Sequence, residues 1–119
     1  MTQKAPAVAP VAYCLPANVY FEVGQAVIDP TNRETIDKTA QCIKKDNLKV
    51  VLSGYTDRTG DWEANVELAK NRAKAVREAL VAAGVPEISI AMSDPKEWTG
   101  TTTATGSDRE ARRVEITKQ

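Results

Sequence analysis

Apolar residues between positions 62 and 83 recur at intervals of four and three, the period of one face of an α-helix. Asp61 precedes this stripe, and Gly84 and Pro86 follow it. Aspartate caps the first turn of a helix, glycine permits a left-handed end, and proline prevents continuation. The pattern therefore predicts a helix over about residues 62–83. Its buried face should consist of Trp62, Val66, Ala69, Ala73, Val76, Leu80 and Ala83.

An earlier helix is predicted between Asp29 and about residue 47. Aspartate is a common N-cap residue, and Pro30 suits the first helical position. Thr31 and Glu34 offer a competing capping box slightly later. The apolar stripe of this helix should consist of Ile36, Ala40 and Ile43.

Four segments have the composition of β-strands: residues 19–23, 48–53, 88–92 and 113–117. The second has an unbroken apolar core, which suits an interior strand. In the third, Ile88, Ile90 and Met92 alternate with smaller residues. The order β-α-β-α-β-β predicts a compact α/β sandwich, with two helices packed on a mixed four-stranded sheet.

The remaining segments are predicted to be connections. Residues 93–111, rich in Thr, Gly and Asp, should form a long loop that contains Trp98. Residues 1–16 are rich in Ala and Pro and should form an extended linker before a single domain of residues 17–119.

Composition excludes several functions. The chain has 16 basic and 16 acidic residues, so it lacks the basic excess that nucleic acid requires. It has no histidine, which removes histidine-dependent nucleophiles and histidine metal sites, and we expect no cofactor or metal. No apolar run approaches the roughly 18 residues of a membrane span, and no signal peptide is visible. We therefore expect the natural chain to be longer, with any membrane attachment in a missing N-terminal region.

One carboxylate and one guanidinium stand out. Asp57 lies in the turn of residues 54–60, directly after a predicted strand, and Arg72 lies on the following helix. Opposite charges delivered to one place by a turn and a helix can bind the zwitterionic end of an amino acid. The alternative is an internal ion pair that ties the turn to the helix.

Four segments, in order, resemble one family. Residues 19–28 are similar to its opening strand and loop, and residues 54–60 to its Gly-His-Thr-Asp-x-x-Gly turn. Residues 65–85 are similar to its second helix, and residues 112–116 to its closing Arg-Arg-Val-Glu-Ile strand. The family is the OmpA-like C-terminal domain, which binds peptidoglycan in the periplasm. Tyr55, Glu22 and Ala111 depart from its usual residues.

The resemblance implies binding of the diaminopimelate residue of the peptidoglycan stem peptide. Asp57 would accept from the ligand's ammonium, and Arg72 would grip its carboxylate in a bidentate fork. The other implied binding residues are Thr59, Asn65, Gly24, Gln25 and Ala26. Arg112 and Arg113 are expected instead to be edge-strand charges or ion-pair partners of Glu115 or Asp108.

The expected role is non-catalytic: the domain would tether an envelope protein to the cell wall from the periplasm. The tether would lead to the outer membrane, with the inner membrane as the alternative. One rival is a stator-type domain that anchors an ion-driven motor complex to the wall. Another is a peptidoglycan-acting enzyme, which no nucleophile motif or metal set supports.

A disulfide between Cys14 and Cys42 is also expected. The first strand and first helix should run antiparallel, which brings the last turns of the helix near the start of the strand. The periplasm is oxidising, so such a bond would persist. The alternative is two free thiols, one buried in the helix and one exposed in the linker.

Overall fold

The computed structural model of the chain describes residues 14–56, 61–98 and 109–119. Its strands are β1 (Ala17–Tyr20), β2 (Val50–Thr56), β3 (Ile90–Met92), β4 (Lys96–Glu97) and β5 (Arg113–Lys118). Its helices are α1 (Pro30–Asp46) and α2 (Trp62–Ala82), with short 3-10 turns at Glu87–Ser89 and Arg109–Ala111. Within these ranges no helix is both long and apolar enough to span a membrane.

The strands form one mixed sheet in the order β1-β5-β2-β3. β5 is antiparallel to both β1 and β2, whereas β3 runs parallel to β2. β4 also pairs in parallel with β2, opposite Tyr55 and Thr56, where it prolongs the edge that β3 begins. The predicted architecture of two helices on a mixed sheet is confirmed. The sheet has five strands rather than four, because the expected loop of residues 93–111 contains β4.

Both helices begin and end where the local signals indicate. Asp29 caps α1 by accepting a hydrogen bond from the backbone N–H of Asn32 at 2.8 Å, and Asn47 ends it with a left-handed backbone. Asp61 caps α2 in the same way, and Gly84 follows it at φ +103°. The apolar stripes pack into one core with the sheet, formed chiefly by Ile36, Ile43, Val50, Leu52, Val76, Leu80, Val114 and Ile116. Trp62, expected to be part of the stripe, keeps 37% of its surface exposed.

Two strands differ from their predicted bounds. β1 ends at Tyr20, and the chain then turns, with the N–H of Gln25 donating to the carbonyl of Glu22 at 3.0 Å. β3 begins only at Ile90, because the 3-10 turn after Pro86 takes up the residues before it. Ile88 in that turn is 87% exposed, so the predicted apolar face of this strand is wrong at its first position.

The expected disulfide is present. Cys14 and Cys42 are bonded, with their Cα atoms 6.6 Å apart. The bond fastens the chain just before β1 to the late turns of α1, which the antiparallel arrangement of the two elements permits. The predicted linker falls mostly on residues 1–13, outside the described ranges.

Candidate ligand-binding site

Arg72 is a buried cation in the middle of α2. It is 3% exposed and is flanked on the same helix face by Ala69 and Ala73. Its guanidinium carbon lies 5.4 Å from the centre of the Phe21 ring, within the range of a cation–π contact. An arginine at this depth is costly unless its N–H groups find acceptors.

The loop after β1 supplies two of those acceptors. Nε of Arg72 donates to the carbonyl oxygen of Gln25 at 2.8 Å, and Nη2 donates to that of Glu22 at 3.1 Å. Gly24, at φ +71°, permits the turn that presents both carbonyls to one side chain. Arg72 therefore fixes the loop, and the loop fixes the orientation of the guanidinium.

The charge of Arg72 has no acidic partner in the part of the chain that the structure describes. Burial and, to a smaller extent, the positive charge of Arg112 lower the pKa of Arg72 to about 10. Among residues 14–56, 61–98 and 109–119, no carboxylate forms an ion pair with it, whereas Arg77 on the same helix pairs with Glu87 at 3.3 Å. Such a site favours an incoming anion.

The other predicted site residues fall into two groups. Gly24, Gln25 and Ala26 lie in the loop that Arg72 holds, with the Gln25 carbonyl already bound to the guanidinium. Asn65 lies two turns before Arg72 on α2, hence on the same helix face and roughly 10 Å along it. Asp57 and Thr59 belong to residues 57–60, outside the described ranges, and their roles stay predictions.

A close approach between the backbones of β2 and α2 sets the separation of these two elements. A Cβ atom added to Gly54 in β2 would lie 2.6 Å from the carbonyl oxygen of Ala69 in α2. Gly54 comes three residues before Asp57, and Ala69 three residues before Arg72. This contact therefore fixes the distance between the strand that leads to the turn and the helix that carries the arginine.

Arg113 was assigned wrongly from sequence. β5 is a central strand rather than an edge, and Arg113 is only 8% exposed. It pairs with Glu110 at 2.8 Å, and its guanidinium lies 4.0 Å from the Tyr55 ring centre and 5.2 Å from that of Trp98. Tyr55 and Trp98 lie far from Arg113 in the sequence, so their contact with it depends on long-range pairing that no local signal indicates.

Tyr55 and Trp98, which contact the Arg113 guanidinium, make further hydrogen bonds of their own. The hydroxyl of Tyr55 donates to Glu115 at 3.1 Å, and burial together with the Glu115 carboxylate raises the pKa of the Tyr55 phenol. The backbone N–H of Trp98 donates to the carbonyl of Thr56 at 2.7 Å, directly before the predicted turn. Tyr55, which replaces the family's histidine, therefore works as a packing surface for Arg113.

The described residues were also compared with the side-chain groupings that hold metal ions. Within the described ranges, no three carboxylate, cysteine or histidine side chains come together in a way that could hold a metal ion. Arg72 itself offers a fixed guanidinium beside a polar loop, which suits an organic carboxylate.

Comparison with known proteins identifies the family. Residues 20–113 match the OmpA family, so the chain belongs to it. It is 36% identical over 104 residues to the peptidoglycan-associated lipoprotein of Pseudomonas aeruginosa, covering 83% of this chain and 60% of that protein. It is 33% identical to outer membrane protein A of Klebsiella aerogenes, of which it covers 33%. The chain thus spans three fifths or less of each of these two relatives.

Solved structures agree with this placement. The peptidoglycan-associated lipoprotein of Burkholderia pseudomallei superposes with a TM-score of 0.74 at 25% identity, covering 87% of this chain and 90% of that one. The C-terminal domain of Helicobacter pylori MotB superposes with a TM-score of 0.68 at 25% identity, covering 86% and 83%. The fold is therefore shared with a peptidoglycan-associated lipoprotein and with MotB.

Proposed function

We propose that this domain binds peptidoglycan non-covalently through the diaminopimelate of the stem peptide, and so anchors an envelope protein to the cell wall. The observation that carries the proposal is Arg72, a buried guanidinium without a carboxylate partner among the described residues. Two of its five N–H groups donate to loop carbonyls, which fixes its plane. The others can meet a ligand carboxylate where little water competes.

Asp57 is proposed as the second charged group of the binding site, beside Arg72. Diaminopimelate carries an ammonium and a carboxylate on its side-chain end, so an acid and a base at a fixed separation recognise both. Asn65 and Thr59 would add neutral hydrogen bonds beside them. The names of two relatives, both peptidoglycan-associated lipoproteins, support this ligand class.

Co-sedimentation with purified sacculi tests the proposed roles of Asp57 and Arg72 in binding. Asp57→Asn and Arg72→Lys should each weaken binding about 10- to 100-fold, because each removes a charge-assisted contact of roughly 1.5–3 kcal/mol. Arg77→Lys is the matched control, since Arg77 lies on the same helix but pairs with Glu87 at the surface. Unchanged binding in both site variants would refute the proposal.

Competition by free amino acids tests the ligand itself. Diaminopimelate should displace the domain from sacculi, and lysine should do so less well, because lysine lacks the second carboxylate and leaves Arg72 without its partner. Equal competition by the two amino acids would remove Arg72 from the recognition scheme, even if sacculus binding itself were intact.

A stator-type role is the second candidate, favoured by the similarity to MotB. The two roles share the wall-binding step and differ in the membrane that the rest of the protein occupies. Separation of inner and outer membranes from cells that carry the natural full-length protein distinguishes them. We place the domain in the periplasm with an outer-membrane tether, so recovery in the inner-membrane fraction would favour the stator role. Release of soluble fragments from sacculi would instead indicate an enzyme.

A further inference from the structure

The loop that meets Arg72 is held by polar contacts more than by apolar packing. This opening loop, residues 21–29, connects β1 to α1. Only Phe21 is buried within it, whereas Val23 and Val27 are 64% and 71% exposed. A segment with few buried apolar contacts opens readily unless hydrogen bonds hold it. The position of the loop carbonyls therefore depends on the groups that donate to them and on the groups that tie the ends of the loop.

Asn32, in the first turn of α1, ties both ends of the opening loop with one side-chain amide. Its Oδ1 accepts from the backbone N–H of Tyr20 at 3.0 Å, immediately before the loop. Its Nδ2 donates to the carboxylate of Asp29 at 2.9 Å, at the last residue of the loop. The two contacts need one acceptor and one donor at once, which an amide supplies and which an ionised carboxylate or an apolar side chain does not.

This bridge is separate from the N-cap of α1. The cap is the hydrogen bond from the backbone N–H of Asn32 to the Asp29 carboxylate at 2.8 Å. Any residue other than proline at position 32 can donate that bond, because only proline lacks the backbone N–H. The side-chain amide is therefore not required to begin the helix, and its two contacts close the opening loop.

Arg72 meets the opening loop between these two ends. The carbonyl oxygens that accept from its guanidinium belong to Glu22 and Gln25, inside the segment that Asn32 closes. A change in the separation of the loop ends would move both acceptors and, with them, the plane of the guanidinium. A binding group has to be held within about 0.5 Å and roughly 20° of its productive geometry. The loop ends are therefore part of what orients Arg72.

We propose that Asn32 is a positioning residue for the Arg72 site: by joining the two ends of the opening loop, it holds the loop carbonyls that orient the guanidinium. The proposal rests on the proposed function and adds to it a residue that acts through Arg72 rather than on the ligand. Loss of the amide should leave the fold intact and weaken the binding of a carboxylate.

Two measurements on Asn32→Ala test this role. Affinity for diaminopimelate, measured by calorimetric titration well below the unfolding temperature, should fall about three- to tenfold, the equivalent of one net hydrogen bond. In the ligand-free protein, the Arg72 Nε–H should exchange with solvent about threefold faster or more, because its acceptor is less well held. NMR follows this exchange, and the signal is assigned by its absence in Arg72→Lys.

Thr39→Ala is the matched control. The hydroxyl of Thr39 donates to the carbonyl of Thr35 at 2.8 Å, so this substitution also removes one side-chain hydrogen bond from α1. That bond lies within the helix and does not involve the opening loop. Thr39→Ala should therefore lower the stability of the fold while affinity for diaminopimelate and exchange of the Arg72 Nε–H match those of the unmodified protein.

An exchange of the two bridging side chains is a stricter test. Asn32→Asp alone removes the donor and places a second carboxylate beside Asp29, so affinity should fall at least as far as in Asn32→Ala. Asp29→Asn added to Asn32→Asp restores one amide and one carboxylate in exchanged positions, and asparagine is also a good N-cap. This double variant should recover most of the lost affinity and slow the exchange of the Arg72 Nε–H again.

The outcomes separate this proposal from the proposed function. If the unmodified protein does not bind diaminopimelate, the proposed function fails and the positioning role fails with it. If it binds, but Asn32→Ala binds equally well or keeps the exchange of the Arg72 Nε–H unchanged, the positioning role alone is overturned. An equal loss of affinity in Thr39→Ala also overturns it. Should Asn32→Ala fail to fold, the comparison of Asn32→Asp with the exchanged pair decides: recovery supports the role, and no recovery overturns it.

Discussion

Arg72 occupies a position where stability alone would favour an apolar residue. It lies between Ala69 and Ala73 on the buried face of α2 and is 3% exposed. A buried charge costs free energy unless it is paired, no ion pair to Arg72 is formed within the described ranges, and apolar replacements of similar volume are often neutral or stabilising. We therefore interpret this charge as a cost that binding requires, rather than as a stabilising cross-link.

Replacement of Arg72 by methionine separates these interpretations. Arg72→Met keeps an unbranched stem against Phe21 and removes the charge, while the exposed loop carbonyls of Glu22 and Gln25 can turn to water. The free energy of unfolding in urea should change by less than about 1 kcal/mol or rise, while binding to sacculi is lost. A drop of roughly 3–5 kcal/mol would instead indicate an internal ion pair.

Residue roles were predictable only where a motif fixed the environment. Arg72 does contact the loop of Gly24 and Gln25 that was assigned to the same site, and its role in ligand binding stays a prediction. It placed Arg113 at an exposed edge, because charge is usually a sign of exposure. Its burial depends on β5 lying between β1 and β2, and on Tyr55 and Trp98 covering its guanidinium, neither of which is a local property.

The helices and strands show the same contrast between features set by neighbouring residues and features set by distant ones. Both helices have their predicted bounds because their caps, Asp29 and Asp61, and their apolar periods act within a few residues. The observed bounds of the strands differ from the predicted ones because pairing partners distant in sequence decide where a strand ends. β4 has only two residues, Lys96 and Glu97, both polar, and exists because they meet the end of β2. No local pattern could have indicated it.

The contact between β2 and α2 leads to a prediction about Gly54. In an ordinary strand position, Gly54→Ala would stabilise the fold by roughly 0.4–1 kcal/mol by restricting the unfolded chain. Here the added methyl would lie 2.6 Å from the Ala69 carbonyl, so the helix must move away. We expect a loss of about 1–3 kcal/mol in the free energy of unfolding, typical of overpacking. Affinity for diaminopimelate should also fall, because the shift changes the separation of Arg72 from the turn.

Chemical denaturation and titration with diaminopimelate check this prediction. Gly54→Val should be worse than Gly54→Ala on both measurements, since its side chain is larger. A rise in the unfolding midpoint for Gly54→Ala would show that the close approach does not limit this position. A loss of stability with unchanged affinity would show that the contact supports the fold without setting the site.

At the scale of the whole molecule, the disulfide and the candidate site lie at opposite ends of β1. Cys14 comes just before the strand and is bonded to Cys42 late in α1. The loop that meets Arg72 comes just after the strand, near the start of α1. Among the described strands, β1 is an edge strand of four residues that pairs only with β5. A pull on the preceding chain therefore reaches α1 through the disulfide before it reaches this short strand.

This separation predicts that stability and binding respond differently to loss of the disulfide. The bond closes a loop with a sequence separation of 28, so the double variant Cys14→Ser/Cys42→Ser should lose about 3–4 kcal/mol of unfolding free energy in the chain-entropy description. Its affinity for diaminopimelate, measured well below its unfolding temperature, should match that of the unmodified protein. Addition of a reductant should lower the stability of the unmodified protein toward that of the variant and leave the variant unchanged. A large loss of affinity in the folded variant would show that the disulfide end of β1 communicates with the loop at Arg72, contrary to the independence of the two ends.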